Sequence, residues 1–557
     1  MTPRPGGQIL ADQLAVHGVD VAFCVPGESY LALLDGLVEH PEIQVVTHRH
    51  EAAAANAADA YGKLTGRPGI CMVTRGPGAT HASTGVHTAF QDSTPMILLI
   101  GQIGTDVRGR EAFQEVDYGQ MFGSLAKLVI ELDDPARIPE HVARAFATAV
   151  SGRPGPVVLA LPEDVLSSLA DVPDAKRYPV AQGHPGSADL SRMRELIAAA
   201  ERPLAIVGGG GWTPRGAADI QAFCEQNGVP VGAAFRCQDV IDNGSASYVG
   251  DVGIGISARL AERVRDADVL RVVGARLGES TTSGYTLVGI PTPAHPLVHV
   301  HNDPEELGRT YHPAVAIVSG LPEFAAAARA LEPVDGSRFA AWREGARADY
   351  LANLEPSPPI GHGVDLAAVV QTLHARLPDA IVCNGAGNYT VWPHRFWQFS
   401  RYRSQLGPTS GAMGYGGPAA IAAAIVEPAR PVVAFAGDGC FLMWGSELAT
   451  MVREQLPIIT IVCNNGMYGT IRMHQERTFP ARVKATDLTN PDFAAYAKSF
   501  GAFGEVVEQT GQFAGALERA IAAGGPALLE LRLDPEALTP RQSLSQAREQ
   551  GALRRTR

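Results

Sequence analysis

Short, mainly apolar runs recur along this chain, alternating with stretches of helical composition. Residues 69–74, 96–100, 157–161, 204–207, 269–273, 380–382, 432–436 and 458–462 are such runs, and the stretches after them are rich in Ala. About five apolar residues without polar alternation have no solvent face, so each run fits a strand covered on both sides. Strand–helix alternation of this kind closes into parallel sheets with crossover helices on both faces. The fold class that follows is α/β, built of doubly wound parallel sheets. Aromatic residues are only 6% while glycines number 60, which suits helices packed closely on sheets better than an all-β sandwich.

Two Pro/Gly/polar passages break the rhythm. One spans 171–187, with Pro173, Pro179, Gly183, Pro185 and Gly186; the other spans 333–362 and ends in Pro356-Ser357-Pro358-Pro359-Ile360-Gly361. Read as linkers, they divide the 557 residues into three α/β domains at 1–168, 188–335 and 363–540. A polar tail at 541–557, carrying Arg548, Arg554, Arg555 and Arg557, reads as mobile. The similar size of the outer two domains allows an old duplication.

Composition narrows the function classes. Lys and Arg total 46 against 58 Asp and Glu, a formal net charge of −12. That balance disfavours nucleic acid as a partner, because phosphate neutralisation needs a concentrated positive surface. No run of about 20 apolar residues exists to span a membrane, and the first 18 residues lack the apolar core of a signal peptide. The seven cysteines, Cys24, Cys71, Cys224, Cys237, Cys383, Cys440 and Cys463, form no CxxC pair. They read as reduced, buried thiols of a cytoplasmic protein.

The strongest chemical signal lies at 431–469. An apolar strand runs directly into Gly437-Asp438-Gly439, a helical stretch follows at 442–454, and a second buried strand ends in Asn464-Asn465-Gly466. Right-handed crossover makes the two strands parallel, so Asp438 and Asn465 emerge at the same carboxyl edge, where such sheets bind ligands. Glycines there admit a phosphate close to the backbone, and a helix N-terminus favours its charge. A carboxylate, an amide oxygen and a loop carbonyl are hard oxygen donors suited to Mg²⁺, which completes its octahedron with phosphate oxygens and water.

With Asn465 placed 27 residues after Asp438, this stretch resembles the thiamine-diphosphate motif. The resemblance implies Mg²⁺ held by the Asp438 carboxylate, the Asn465 side chain and the Met467 carbonyl. A second match stands in His48-Arg49-His50-Glu51, just before an Ala-rich helix closed by Gly66. In that family a Glu at this place bonds N1′ of the aminopyrimidine, so that the ring's imino form removes the thiazolium C2 proton; Glu51 takes this role by likeness. Taken alone, an acid at a helix start needs no more than the macrodipole.

Further stretches resemble acetolactate synthase-like enzymes over essentially the whole chain. They are Val25-Pro26-Gly27, Gly76-Pro77-Gly78-Ala79-Thr80, Asp92-Ser93 with Pro95, Ala112-Phe113-Gln114-Glu115, Ser151-Gly152-Arg153-Pro154-Gly155-Pro156, and Thr409 to Gly416. The likeness names the domains pyrimidine-binding, central nucleotide-binding-like and diphosphate-binding. It makes Met413 the apolar prop that bends the cofactor. Pro26, Gly27, Ala386, Gly387, Asn388, Tyr389, Gly411, Gly437, Gly439, Tyr468 and Gly469 complete the cofactor's surroundings. Phe113 and Gln114 would face the reacting carbon, with Tyr30, Thr470, Ile471 and His474 on the substrate side. Because such cofactor sites lie between the first domain of one subunit and the third of another, a homodimer or homotetramer is implied. The implied reaction is addition of the cofactor's C2 carbanion to a 2-oxo acid, loss of CO₂, and carboligation to a second carbonyl.

Several residues depart from the pattern. Glu28 follows Pro26-Gly27 where acetolactate synthases carry a small residue, and decarboxylases of the family place an acid at this corner. Their histidine pair has no counterpart here, since Phe113-Gln114 occupies that stretch. His81 stands where Asn is usual and adds a titratable group among the catalytic candidates. His474 replaces a substrate-selecting Trp. These changes keep a 2-oxo acid decarboxylase and a 2-hydroxyketone or 2-hydroxyacyl lyase open beside carboligation. A catalytically silent cofactor-binding subunit has no need of Glu51, Asp438 and Asn465 together. In the central domain, Gly274-Ala275-Arg276-Leu277-Gly278 begins like the family's flavin segment, but Glu279-Ser280-Thr281-Thr282-Ser283 does not reproduce its Asp-Asp-Arg. FAD is therefore an open reading, to which Gly208–Gly211 and Arg153 add only weak support. His299 and His301 share one face of a strand and read as a solvated pair at a sheet edge.

Overall fold

The computed structural model describes residues 2–555. Its core is three six-stranded sheets, every strand parallel to its neighbours. The first contains β1 (Val21–Cys24), β2 (Gln44–Thr47), β3 (Gly69–Val73), β4 (Met96–Gln102), β5 (Leu128–Glu131) and β6 (Pro156–Pro162), in the order β2-β1-β3-β4-β6-β5. The second contains β7 (Pro203–Val207), β8 (Val231–Ala234), β9 (Tyr248–Val252), β10 (Val269–Val273), β11 (Leu297–His301) and β12 (Val315–Val318), in the order β9-β8-β7-β10-β11-β12. The third contains β13 (Ile381–Asn384), β14 (Gln405–Leu406), β15 (Val432–Gly437), β16 (Ile458–Asn464), β17 (Phe503–Val507) and β18 (Ala527–Arg532), in the order β14-β13-β15-β16-β18-β17.

The apolar runs are strands for the reason the pattern implies. On β7, Leu204 and Ile206 join one hydrophobic cluster while Ala205 and Val207 join another, so both faces of the strand are covered. The outer sheets share one strand order, whereas the central sheet has the order of a dinucleotide-binding sheet.

By compactness the chain forms two units. One holds the chain up to Ala181 together with Gly417–Pro428 and Trp444–Leu456; the other holds the rest. Within the first, α1 (Glu51–Thr65) begins at His50, whose side chain accepts the Ala52 amide, and stops at Gly66 in the left-handed region. Helix α2 (Pro77–Asp92) opens with Pro in its first turn. The two helices press together where a Cβ on Gly85 would lie 2.4 Å from the Ala55 Cβ. Small residues on both helices are what permit that approach.

Three readings need correction. The tail is not loose over its described length: α4 (Leu544–Arg555) packs on α3 (Gly469–Thr478), and Leu544 and Ala547 share a buried cluster with Met467 and Met473. Arg557 lies outside the described residues. The single helix expected at 442–454 is instead Asp438–Phe441, a 3₁₀ turn at Gly445–Glu447 and Leu448–Arg453. His299 and His301 are buried, because β11 lies between β10 and β12 rather than at an edge. His299 Nε2 bonds the Ala275 carbonyl at 2.9 Å.

Six of the seven cysteines are buried, as expected of thiols used as small core groups, and Cys237 is partly buried. No helix among the described residues is long and apolar enough to cross a membrane.

Candidate active site

In the second unit, β15 and β16 pair so that Gly437 stands opposite Cys463, which brings Asp438 and the Asn464-Asn465 turn to one carboxyl edge. Asp438 is 3% exposed. Its Oδ1 accepts the Gly439 amide at 2.8 Å, and its Oδ2 accepts the Gly466 amide at 2.8 Å and the Asn490 side-chain amide at 2.9 Å. Burial pushes its pKa upward against the pull of these N–H groups. Among the described residues the carboxylate has no cationic partner. A buried carboxylate in that state, beside the Asn465 amide oxygen and the Met467 carbonyl, is the chemistry of a site for a hard divalent cation.

Around this edge lies a cavity of about 220 Å³. Ala386, Gly387, Asn388 and Tyr389 line it from the turn after β13, and Gly411 and Met413 from the loop after β14. Gly437, Asp438 and Gly439 come from the end of β15, and Asn465, Met467 and Tyr468 from the turn after β16. Gly469, Thr470 and Ile471, the first turn of α3, complete the lining named by the sequence. The Asn388 amide donates to Thr470 Oγ1, which donates back to Asn388 Oδ1, both at 2.9 Å, so the two loops hold each other. His474 lies further along α3, exposed, and does not line the cavity.

In the first unit, Glu51 opens α1 with its side chain largely buried, and His81 Nδ1 on α2 meets Glu51 Oε2 at 2.9 Å. Pro26 and Gly27 precede the turn that carries Glu28, whose Oε1 lies 3.5 Å from Arg75 Nη2. The same guanidinium binds Glu163 and the Phe113 carbonyl. Phe113 is 74% exposed, and Gln114 adopts a left-handed backbone with its Oε1 buried and without a partner. Tyr30, read as a substrate residue, is buried and donates its hydroxyl to the Val25 carbonyl at 2.7 Å. Its phenol braces the backbone of that corner.

Two residues escaped the sequence reading. Glu447, fully buried, accepts the amides of Arg49 and His50 on Oε1 at 2.9 and 3.1 Å; its Oε2 bonds His48 Nδ1 and the Thr450 hydroxyl. It therefore fixes the backbone immediately before Glu51. Burial alone would raise its pKa, but these hydrogen bonds outweigh burial and hold it below the usual carboxylate range. Asn490 bridges Asp438 Oδ2 and Asn464 Oδ1. Neither residue sits in a local motif, so no signal short of the fold reveals them.

In the central domain the glycines have a structural explanation. A Cβ on Gly209 would lie 2.1 Å from the Gly274 carbonyl oxygen, and one on Gly274 would lie 2.3 Å from that of Gly208. The two turns pack backbone to backbone. Arg153 is held by Ser93 Oγ and the Phe90 carbonyl and lies over the Phe90 ring.

A buried carboxylate after β15, an Asn after β16, and an acid at the head of a helix in the first sheet define a cofactor-dependent α/β enzyme. The chain belongs to the thiamine pyrophosphate enzymes: residues 4–121, 190–328 and 385–531 match the N-terminal TPP-binding, central and C-terminal TPP-binding domains of that family. Thiamine pyrophosphate is the same compound as thiamine diphosphate. Among its relatives, the probable acetolactate synthase large subunit of Methanocaldococcus jannaschii is 30% identical over 96% of this chain and 93% of the relative. The acetolactate synthase large subunit of Corynebacterium glutamicum is 32% identical, with 89% and 81% covered. The acetolactate synthase isozyme 2 large subunit of Escherichia coli is 29% identical, with 95% of each chain covered.

Proposed function

We propose that the protein is a thiamine-diphosphate- and Mg²⁺-dependent carboligase of 2-oxo acids, acting as its acetolactate synthase relatives are named. The observation that carries this reading is the buried Asp438 carboxylate, with no Lys, Arg or His side chain as partner among the described residues, on a cavity shared with Asn465, Met467 and the 386–389 turn. When bound, thiamine diphosphate supplies a carbon nucleophile and an electron sink for making or breaking the bond beside a carbonyl. Asp438, Asn465 and the Met467 carbonyl would hold Mg²⁺. The backbone at Gly387, Asn388 and Gly469 would receive the diphosphate oxygens. Met413 would support the cofactor from its apolar side. Glu51, fixed by Glu447, would hold a proton at the aminopyrimidine ring nitrogen.

Thr470 and Ile471 begin α3 beside the metal donors and are our candidates for contacting the 2-oxo acid. Glu28, whose Oε1 lies 3.5 Å from Arg75 Nη2, is the residue on which the alternative decarboxylase reading rests. FAD keeps only the central strand order as support, since Gly209 and Gly274 are required by each other. We further propose a homodimer or homotetramer in the cytoplasm. The first follows the family likeness; the second follows the six buried reduced cysteines.

Asp438→Ala tests the metal and diphosphate assignment. Titration calorimetry should show Mg²⁺-dependent binding of thiamine diphosphate to the wild type and a loss of about a hundredfold or more in the variant. Unchanged affinity would remove the assignment.

A further inference from the structure

We propose that His81 is a positioning residue that carries protons between solvent and Glu51. The inference rests on Glu51 as the partner of the cofactor's aminopyrimidine and goes beyond it by naming the source of the proton Glu51 must hold. A carboxyl group is ionised near neutral pH, yet it can donate a hydrogen bond to a ring nitrogen only when it carries a proton. Something must therefore deliver that proton to a largely buried side chain.

The geometry assigns this task to His81. Its Nδ1 lies 2.9 Å from Glu51 Oε2, while its side chain is 51% exposed against 13% for Glu51. One ring edge thus faces the carboxyl group, and the residue as a whole remains open to solvent. The other carboxyl oxygen, Oε1, has no hydrogen-bond partner among the described residues. It lies over the start of α2, where a Cβ on Gly78 would come within 3.6 Å of it. The two oxygens are therefore divided, one for His81 and one for a ligand.

The surroundings hold this arrangement still. Glu51 and His81 stand on α1 and α2, whose approach at Gly85 and Ala55 leaves no slack. The His50 ring lies 4.6 Å from the His81 ring, centroid to centroid, and is itself fixed by accepting the Ala52 amide on Nδ1. The ionisable groups that meet the pair are His50 beside it, Cys71 on β3, and Tyr30. The charge of Glu51 opposes ionisation of both Cys71 and Tyr30. Neither of those donates a proton near neutral pH: burial, their first cause of shift, pushes both the Cys71 thiol and the Tyr30 phenol well above their ordinary values. His81 is thus the group placed to exchange.

The proton balance is simple. Solvent protonates His81 at Nε2; the Nδ1–H bond breaks as a carboxyl O–H bond forms on Glu51, leaving His81 neutral with its hydrogen on Nε2. The return step takes the proton back to Nδ1 and releases one from Nε2 to solvent, restoring the starting tautomer. No oxidant, reductant or other reactant is required.

The test counts protons as the cofactor binds. Thiamine diphosphate with Mg²⁺ is titrated into the full-length protein in two buffers of different ionisation enthalpy, between pH 5 and 8. For the wild type, the number of protons taken up should change across that range, and the binding constant should fall about tenfold towards pH 8. His81→Asn should instead take up about one proton per site throughout that range, so that its binding constant falls about tenfold per pH unit, while leaving the circular dichroism spectrum and melting temperature unaltered. His81→Gln repeats the test should the first variant fold poorly. Identical proton counts and pH profiles in wild type and variants would overturn the relay. Glu51→Gln separates the two levels: if it binds the cofactor with the wild type's proton count, the assignment of Glu51 itself fails, and the relay with it.

Discussion

Glu447 shows what a single side chain contributes that no motif announces. One carboxylate fixes two amides ahead of Glu51 and the His48 ring, all about four hundred residues away in sequence, together with the nearby Thr450 hydroxyl. Its lowered pKa has a direct consequence for stability. A carboxylate whose folded pKa is depressed stabilises the fold above its unfolded pKa, near 4.5 here, and loses that contribution as pH falls through the folded value. Glu447→Gln should cost about 1–3 kcal/mol at pH 7, and the gap to wild type should close on acidification. Melting temperatures measured from pH 7 to 3 would show this, and parallel curves would refute it. Turnover should also fall, by up to about a hundredfold if the start of α1 shifts. By contrast, Glu51, Asp438 and Asn465 were legible in the sequence. Each sits at the end of a recognisable strand or the head of a helix, where a few neighbours determine its setting. The burial of Tyr30 and its bond to the Val25 carbonyl were not legible, because a motif gives a residue's position and says nothing of which way its hydroxyl points.

At the scale of elements, strands were read closely and helices less so. A five-residue run that is apolar at all but one position leaves little choice of face, so β10 spans Val269–Val273 as read from the sequence. Helical composition does not locate breaks, and the stretch after Asp438 divides at a 3₁₀ turn that presents Glu447. The tail misled for a related reason: α4 is polar over most of its length, and only Leu544, Ala547 and Gly551 are buried. Its docking on α3 is tight, since a Cβ on Gly551 would lie 2.3 Å from the Glu476 carbonyl oxygen. Arg548 and Arg472 both bind the Glu476 carboxylate beside this contact. Gly551→Val should therefore push the helices apart, costing about 1–3 kcal/mol. Because Thr470 and Ile471 stand at the head of α3, the KM for the 2-oxo acid should rise as well. A lowered melting temperature with unchanged KM would show that α4 supports the fold alone.

At the scale of the molecule, the outer sheets share a strand order that the central sheet lacks, which agrees with the duplication suggested by their similar size. That agreement was beyond the sequence, because strand order depends on long-range pairing that periodicity does not encode. The net charge of −12 sets a condition on the site. A chain negative overall must supply positive potential locally to hold a diphosphate and a carboxylate substrate, and a cation on Asp438 with nearby backbone amides meets that need. The central claim is that these parts join two 2-oxo acids after removing one carboxyl group. Purified protein supplied with thiamine diphosphate, Mg²⁺ and a panel of 2-oxo acids should release one CO₂ for every two acids consumed, with the ligated 2-hydroxy-3-oxo acid found by mass spectrometry. One CO₂ per acid with free aldehyde as the product, or no turnover of any 2-oxo acid, would contradict it.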